Sequence, residues 1–152
     1  MKKYLTLFLI ILPISCSCNK FKEFKDYFIA FDVAASDATR IDCEGRIECN
    51  YVVHLASTTP RKPIIVQYSI IPGDGLVEGI DYELATQKKT VEFFPGVFNK
   101  SIKIKWLPNP IDAAKDNTLT IRLESSNSDI NLGFPGPDEL NRTIIITKYI
   151  NN

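Results

Sequence analysis

The segment Ser101–Trp106, SIKIKW, alternates polar and apolar residues without a break. Successive side chains of an extended strand point to opposite faces, so Ile102, Ile104 and Trp106 share one face and Ser101, Lys103 and Lys105 the other. A segment built this way is satisfied as a strand with one face on a core and the other in water. The same period recurs in YFIAFDVA (Tyr27, Ile29, Phe31 and Val33 on one face) and in YVVHLAS (Tyr51, Val53 and Leu55, with His54 opposite). It returns in IIVQYSII (Ile64, Val66, Tyr68, Ile70), TVEFF (Val91, Phe93), TLTIRLE (Leu119, Ile121, Leu123) and TIIITK (Ile144, Ile146). Clusters of Pro, Gly, Asn and Asp separate these segments, and helical periodicity is nearly absent. The pattern predicts an all-β protein: one antiparallel β-sandwich of about seven strands spanning residues 27–152. Trp106 and Tyr68 fall on inward faces and are expected in its core.

The first residues follow another logic. Lys2 and Lys3 precede an apolar run, Tyr4–Ile14, shorter than the roughly 20 residues of a membrane span but suited to a secretory signal. That run gives way to Ser15-Cys16-Ser17-Cys18. A cysteine after a small residue at this point resembles the lipobox of bacterial lipoproteins, in which the thiol takes a diacylglycerol and becomes the first residue of the mature chain. The resemblance implies a signal at 1–15, lipidation at Cys16, with Cys18 as second choice, and a charged tether over 16–26. Acyl chains contribute about 0.8 kcal/mol per buried CH₂, so several on one cysteine hold a domain of this size on a bilayer. The expected address is a bacterial cell envelope, most simply the outer membrane, with the face left open.

Eighteen basic residues balance eighteen acidic ones, which leaves no electrostatic footprint for nucleic acid. Beyond the signal and tether, two cysteines remain, Cys43 and Cys49, in IDCEGRIECNY. An oxidising compartment favours a disulfide between them, and Gly45 in the intervening segment allows so short a loop to close. The alternative is a pair of buried, unpaired thiols on neighbouring strands. Zinc lacks ligands here, since His54 is the only histidine and there is no second cysteine pair.

Between the strands runs a more specific succession: VEGIDYEL (Val77–Leu84), TVEFFPGVFNKSIKIKW (Thr90–Trp106) and NTLTIRLESSNSDINLG (Asn117–Gly133). Gly79, Asp81 and Tyr82, then Phe93, Pro95 and Gly96, then Ile102 and Ile104, then Leu119 and Leu123, and finally Leu132 and Gly133 occur in order. This succession resembles a Calx-beta domain, an immunoglobulin-like sandwich. Some members of that family bind calcium through carboxylates at one end of the sandwich. The resemblance implies calcium candidates in three loops: Asp42, Glu44 and Glu48; Asp74, Glu78 and Asp81; Asp112 and Asp116. Calcium takes six to eight oxygen ligands, and three acidic loops at one end would supply them. Solvated loop acids are the alternative, and Asp81 has a second role open to it in capping the turn before Tyr82.

No catalytic constellation emerges. A Ser-His-Asp triad would have to use His54, which lies mid-strand among apolar neighbours. No glycine-rich phosphate loop leads from a strand into a helix. The expected function is non-catalytic: a membrane-anchored envelope lipoprotein whose sandwich serves as an interaction or adhesion module for an unidentified protein. Its surface is sought in the loops, above all Asn131–Asn141, where Phe134 is either an exposed aromatic or a lid on the core edge. The alternatives are a glycan-binding accessory lipoprotein of a polysaccharide-uptake system, with Phe134 or Trp106 as the aromatic platform, and a calcium-binding module. An exposed Trp106 favours the glycan reading, and a buried one weakens it.

Overall fold

A computed structural model describes residues 26–86 and 88–151. Among these residues there are ten strands and no helix: β1 (Phe28–Phe31), β2 (Arg40–Asp42), β3 (Ile47–Ala56), β4 (Ile64–Pro72), β5 (Tyr82–Leu84), β6 (Thr90–Phe93), β7 (Asn99–Trp106), β8 (Thr118–Ser126), β9 (Asn131–Leu132) and β10 (Thr143–Tyr149). They form two five-stranded sheets around one core, in the orders β5-β7-β3-β1-β9 and β2-β10-β8-β4-β6. The architecture is all-β and sandwich-like.

The seven expected segments are all strands, and three further strands lie at sheet edges. β2, β5 and β9 are two or three residues long, too short for an alternation to register. Two of them also overturn the expectation of a purely antiparallel sandwich: β9 runs parallel to β1, and β2 runs parallel to β10. Short outer strands of this kind leave little unpaired edge on which another chain can build.

Period-2 patterning sets the core. On β7, Ile102, Ile104 and Trp106 are buried, while Lys103 and Lys105 reach across the outer face to Glu48 at 3.2 Å and Glu83 at 2.8 Å. On β8, Leu119, Ile121 and Leu123 turn inward to meet Ile144 and Ile146 of β10. Trp106 is fully buried; its Nε1–H donates to Tyr51 Oη at 3.3 Å, and its ring lies 6.1 Å from that of Tyr82.

β1 departs from its expected pattern. Tyr27 and Val33 are exposed, because pairing starts at Phe28 and the chain turns away at Asp32, whose carboxylate accepts the Ala35 amide at 3.1 Å. Ala30, on the side expected to face water, is buried.

Registers sort the loops onto two ends. Phe28 pairs with Ala56 and Asn131, and Ile64 pairs with Phe93, so Asp26 and the β3–β4, β6–β7, β8–β9 and β9–β10 loops share one end. The β2–β3, β4–β5 and β7–β8 loops share the other, where Ile47 pairs with Trp106 and Pro72 with Leu119.

Candidate functional site

The three acidic loops do meet at one end, but their carboxylates do not converge. Among the described residues no group of three or more His, Cys, Asp or Glu side chains is placed to hold a metal ion. The expectation of a calcium cluster is therefore corrected, because the acids are engaged with backbone amides and lysines or stand apart in solvent. Asp42 accepts the Glu44 amide at 3.0 Å, and Asp112 accepts the Ala114 amide at 2.9 Å. Asp74 accepts the Asp116 amide at 2.8 Å, and Asp116 accepts both the amide and the hydroxyl of Thr118. Glu44 and Glu78 are exposed, and Glu48 faces Lys103 across the strands. The Asp42, Asp112 and Asp116 bonds are Asx-type turns, and Asp74 ties the β4–β5 loop to the β7–β8 loop: short acidic side chains hold backbone amides that the sheets leave without partners.

Asp81 is the most committed of the set. It is buried, and Lys148 Nζ, itself fully buried, donates to its Oδ1 at 2.9 Å. Asn109 Nδ2 donates to the same oxygen at 2.9 Å, the Val77 amide donates to Oδ2 at 2.9 Å, and Lys148 also reaches the Leu107 carbonyl at 3.0 Å. Burial by itself raises a carboxyl pKa. Here the bonds from Lys148, Asn109 and Val77 outweigh it and hold Asp81 below the ordinary aspartate value. Both charges are spent on each other, and the pair ties the Val77–Asp81 turn to β10.

The expected Cys43–Cys49 bridge is also corrected: both cysteines are buried free thiols. Cys49 lies inward on β3, across from Ile104. Cys43 follows β2 on the opposite sheet, with its amide on the Tyr149 carbonyl at 2.8 Å. Sheets packed face to face stand about 10 Å apart, and a disulfide needs Cα atoms within about 7 Å. The segment containing Gly45 crosses between the sheets and does not fold its ends together. Burial pushes the Cys49 thiol pKa up, which keeps it protonated and unreactive.

The two aromatic candidates separate. Trp106 is core and offers no platform. Phe134 does both of the things open to it: it is 40% exposed, yet its ring meets Phe28 edge-on at 5.1 Å and 87°. Together they flank an apolar cleft of about 430 Å³, also lined by Phe31, Val33, His54 and Asn141. The loop carrying Phe134 is fastened to β1 along its length. Gly133 N–H donates to the Ile29 carbonyl at 2.8 Å, Phe31 N–H to the Asn141 carbonyl at 2.8 Å, and Asn141 Nδ2 to the Phe31 carbonyl at 3.1 Å. Within the loop, the Phe134 amide donates to the Leu140 carbonyl at 2.7 Å. At the cleft wall, His54 Nδ1 and Asn99 Oδ1 are 2.7 Å apart. An amide oxygen only accepts, so Nδ1 is the donor in this contact.

The sequence named Phe134, but Phe28 and His54 joined the site only in three dimensions. The one available signal was Ala30, a small residue on an outward position, which leaves room above β1. Cys16 and Cys18 lie outside the described residues. No protein-family model matches the chain, and no curated protein matches it in sequence.

Proposed function

We propose that this protein is a membrane-anchored, non-catalytic envelope lipoprotein, tethered through Cys16, whose Calx-beta-like sandwich is a protein-interaction module. Its recognition surface is the Phe134 cleft. The observation that carries this reading is the fastened loop: Phe134 is held half-exposed over Phe28, beside an apolar cleft, on a backbone tied to β1. Pre-organised aromatic anchors of this kind carry a disproportionate share of binding energy at protein interfaces.

Strand order supports the immunoglobulin-like part of the reading. β1, β3, β7 and β5 take the places of strands A, B, E and D, and β4, β8 and β10 those of C, F and G. The chain departs from that plan in visiting β5 before β6, which pairs beside β4. The Calx-beta pattern residues have structural employment: Gly79 and Gly96 adopt φ of 85° and 83°, Asp81 holds Lys148, and Tyr82 packs on Trp106.

The glycan reading loses Trp106 to the core and keeps only Phe134, so it stands second. A photoreactive residue at position 134 tests the choice in intact cells. Crosslinking to one protein from position 134, and none from Ile145 on the outer face of the other sheet, supports the interaction module. Equal labelling from both positions overturns it. A glycan adduct at position 134 moves the second reading to first.

A further inference from the structure

We infer that the end of the sandwich from which the tether departs is itself a membrane-contact surface. The Phe94–Val97 turn enters the headgroup layer of an anionic bilayer, and Arg61, Lys62 and Lys100 hold it there. The inference rests on the anchored reading for its orientation.

The turn is built to present its tip. Val97 N–H donates to the Phe94 carbonyl at 2.9 Å, with Pro95 at the second position and Gly96 at the third with φ of 83°, which is a type II turn. Phe94 is 48% exposed, Pro95 and Gly96 are exposed, and a Cβ on Gly96 would meet nothing within 4 Å. A bulky aromatic at the start of an outward turn that carries the chain from one sheet to the other is costly to leave in water and suits the amphipathic interface of a bilayer.

The two loops that meet at this turn carry only basic charge. The β3–β4 loop, Ser57–Pro63, contributes Arg61 and Lys62, and the segment Phe94–Lys100 contributes Lys100; neither stretch contains an acid. The Leu55 amide bonded to the Phe98 carbonyl at 2.8 Å places the end of β3, which leads into the first loop, beside the second. The adjoining cleft between β6 and β7 adds Lys88, against Glu92, while Lys103 in the same lining is paired with Glu48. The acids of this end's loops, Asp26, Asp129, Asp138 and Glu139, flank β1 and β9, at the lateral edge opposite β6, and Glu139 is paired with Arg142. The domain therefore leans on its β6–β7 side.

The position of the chain fits this contact. Asp26 emerges at the same end, and the ten residues from Cys16 reach at most about 36 Å. An anchor at Cys16 thus keeps this end within reach of the lipid, with the acidic end pointing away. Near an anionic surface each cation raises association roughly five-fold, so three raise it roughly a hundred-fold, and salt screens the effect.

The test uses the full chain as purified, carrying F94W, with Trp106 as the buried internal reference. It is mixed with vesicles of phosphatidylcholine alone or with phosphatidylglycerol, each also prepared with brominated acyl chains. The expected result is a blue-shifted emission from the indole introduced at position 94, quenched by brominated lipid in the anionic vesicles. In phosphatidylcholine alone, at high salt, or with R61E/K62E/K100E that emission returns to the value of an exposed indole. Solvent-like, unquenched emission in anionic vesicles that carry the protein overturns the inference, as does failure to associate with them at all. Acylation at Cys16, read separately from the mass of the N-terminal peptide, judges the anchor. An unacylated chain that still binds anionic vesicles with quenching retires the anchor and keeps the contact. The unchanged Trp106 emission of the charge-reversed parent confirms that this variant remains folded.

Discussion

Lys148 is where the sequence pattern and the chemistry part company. Alternation along β10 carries Ile144 and Ile146 inward and then delivers a lysine to the next inward position. A buried cation is stable only if it finds an anion and hydrogen-bond acceptors, and Asp81, sixty-seven residues earlier, supplies them. The alternation made the inward position readable, but the partner was not, because the pairing depends on how the Val77–Asp81 turn lands against β10. Removing one member strands the other charge in the interior, so K148M should destabilise by about 3–5 kcal/mol, measured from the urea midpoint, while a K148M/D81L double variant should recover much of that loss. The pH dependence has a definite sign. Asp81 is held below its unfolded pKa, so its contribution is complete above the ordinary aspartate value of about 3.9 and is lost as pH falls through the folded value. The wild type should lose stability across that acid window, and D81N should be less stable at neutral pH with a flatter acid limb. The cysteines belong to the same scale. Cys43 and Cys49 should resist a thiol reagent in native buffer and both react in denaturant, as peptide mass mapping would show; protection in denaturant that is relieved by reductant would restore the disulfide.

Strand elements were legible wherever burial was one-sided and long enough to repeat. β7 and β8 are eight and nine residues long and alternate over most of that length, and their inward residues were named correctly from sequence. β2, β5 and β9 were not legible, since two or three residues carry no period and their pairing is decided by the sheet edge they reach. The Phe134 site was half legible for a related reason. Its aromatic lies in a recognisable loop, whereas Phe28 and His54 come from two strands that read simply as core formers. Turns allow a sharper comparison. Gly96 and Gly133 both adopt left-handed φ, but the space around Gly96 is open, while a Cβ on Gly133 would stand 2.5 Å from the Glu139 carbonyl oxygen. G96A should therefore cost only the left-handed penalty, about 1–2 kcal/mol, whereas G133A adds a backbone clash and should cost more. G133A should also loosen the loop that carries Phe134, so binding at the cleft should fall with it while G96A leaves the cleft intact. Equal losses for the two variants would mean that the loop yields to the added methyl.

At the scale of the whole molecule, one core joins both sheets, with Trp106 fully buried within it. A single core predicts a single transition: Trp106 emission and far-UV dichroism should report the same thermal midpoint. That midpoint then decides the metal question more firmly than any loop inspection. A calcium site occupied at a hundred times its dissociation constant would add about 2.7 kcal/mol, or about 10 °C for a domain of this size. The acidic loops do meet at one end, as their sequence suggested, yet each carboxylate already holds a backbone amide, a lysine or open water, and Asp81 is neutralised by Lys148. Drawing six or more oxygens onto one ion would require breaking those turns and exposing a buried lysine without its partner. Midpoints in millimolar calcium and in chelator should therefore agree within about 1 °C. A rise approaching 10 °C would mean that the β4–β5 and β7–β8 loops rearrange around the ion, and that the acidic end is a site after all.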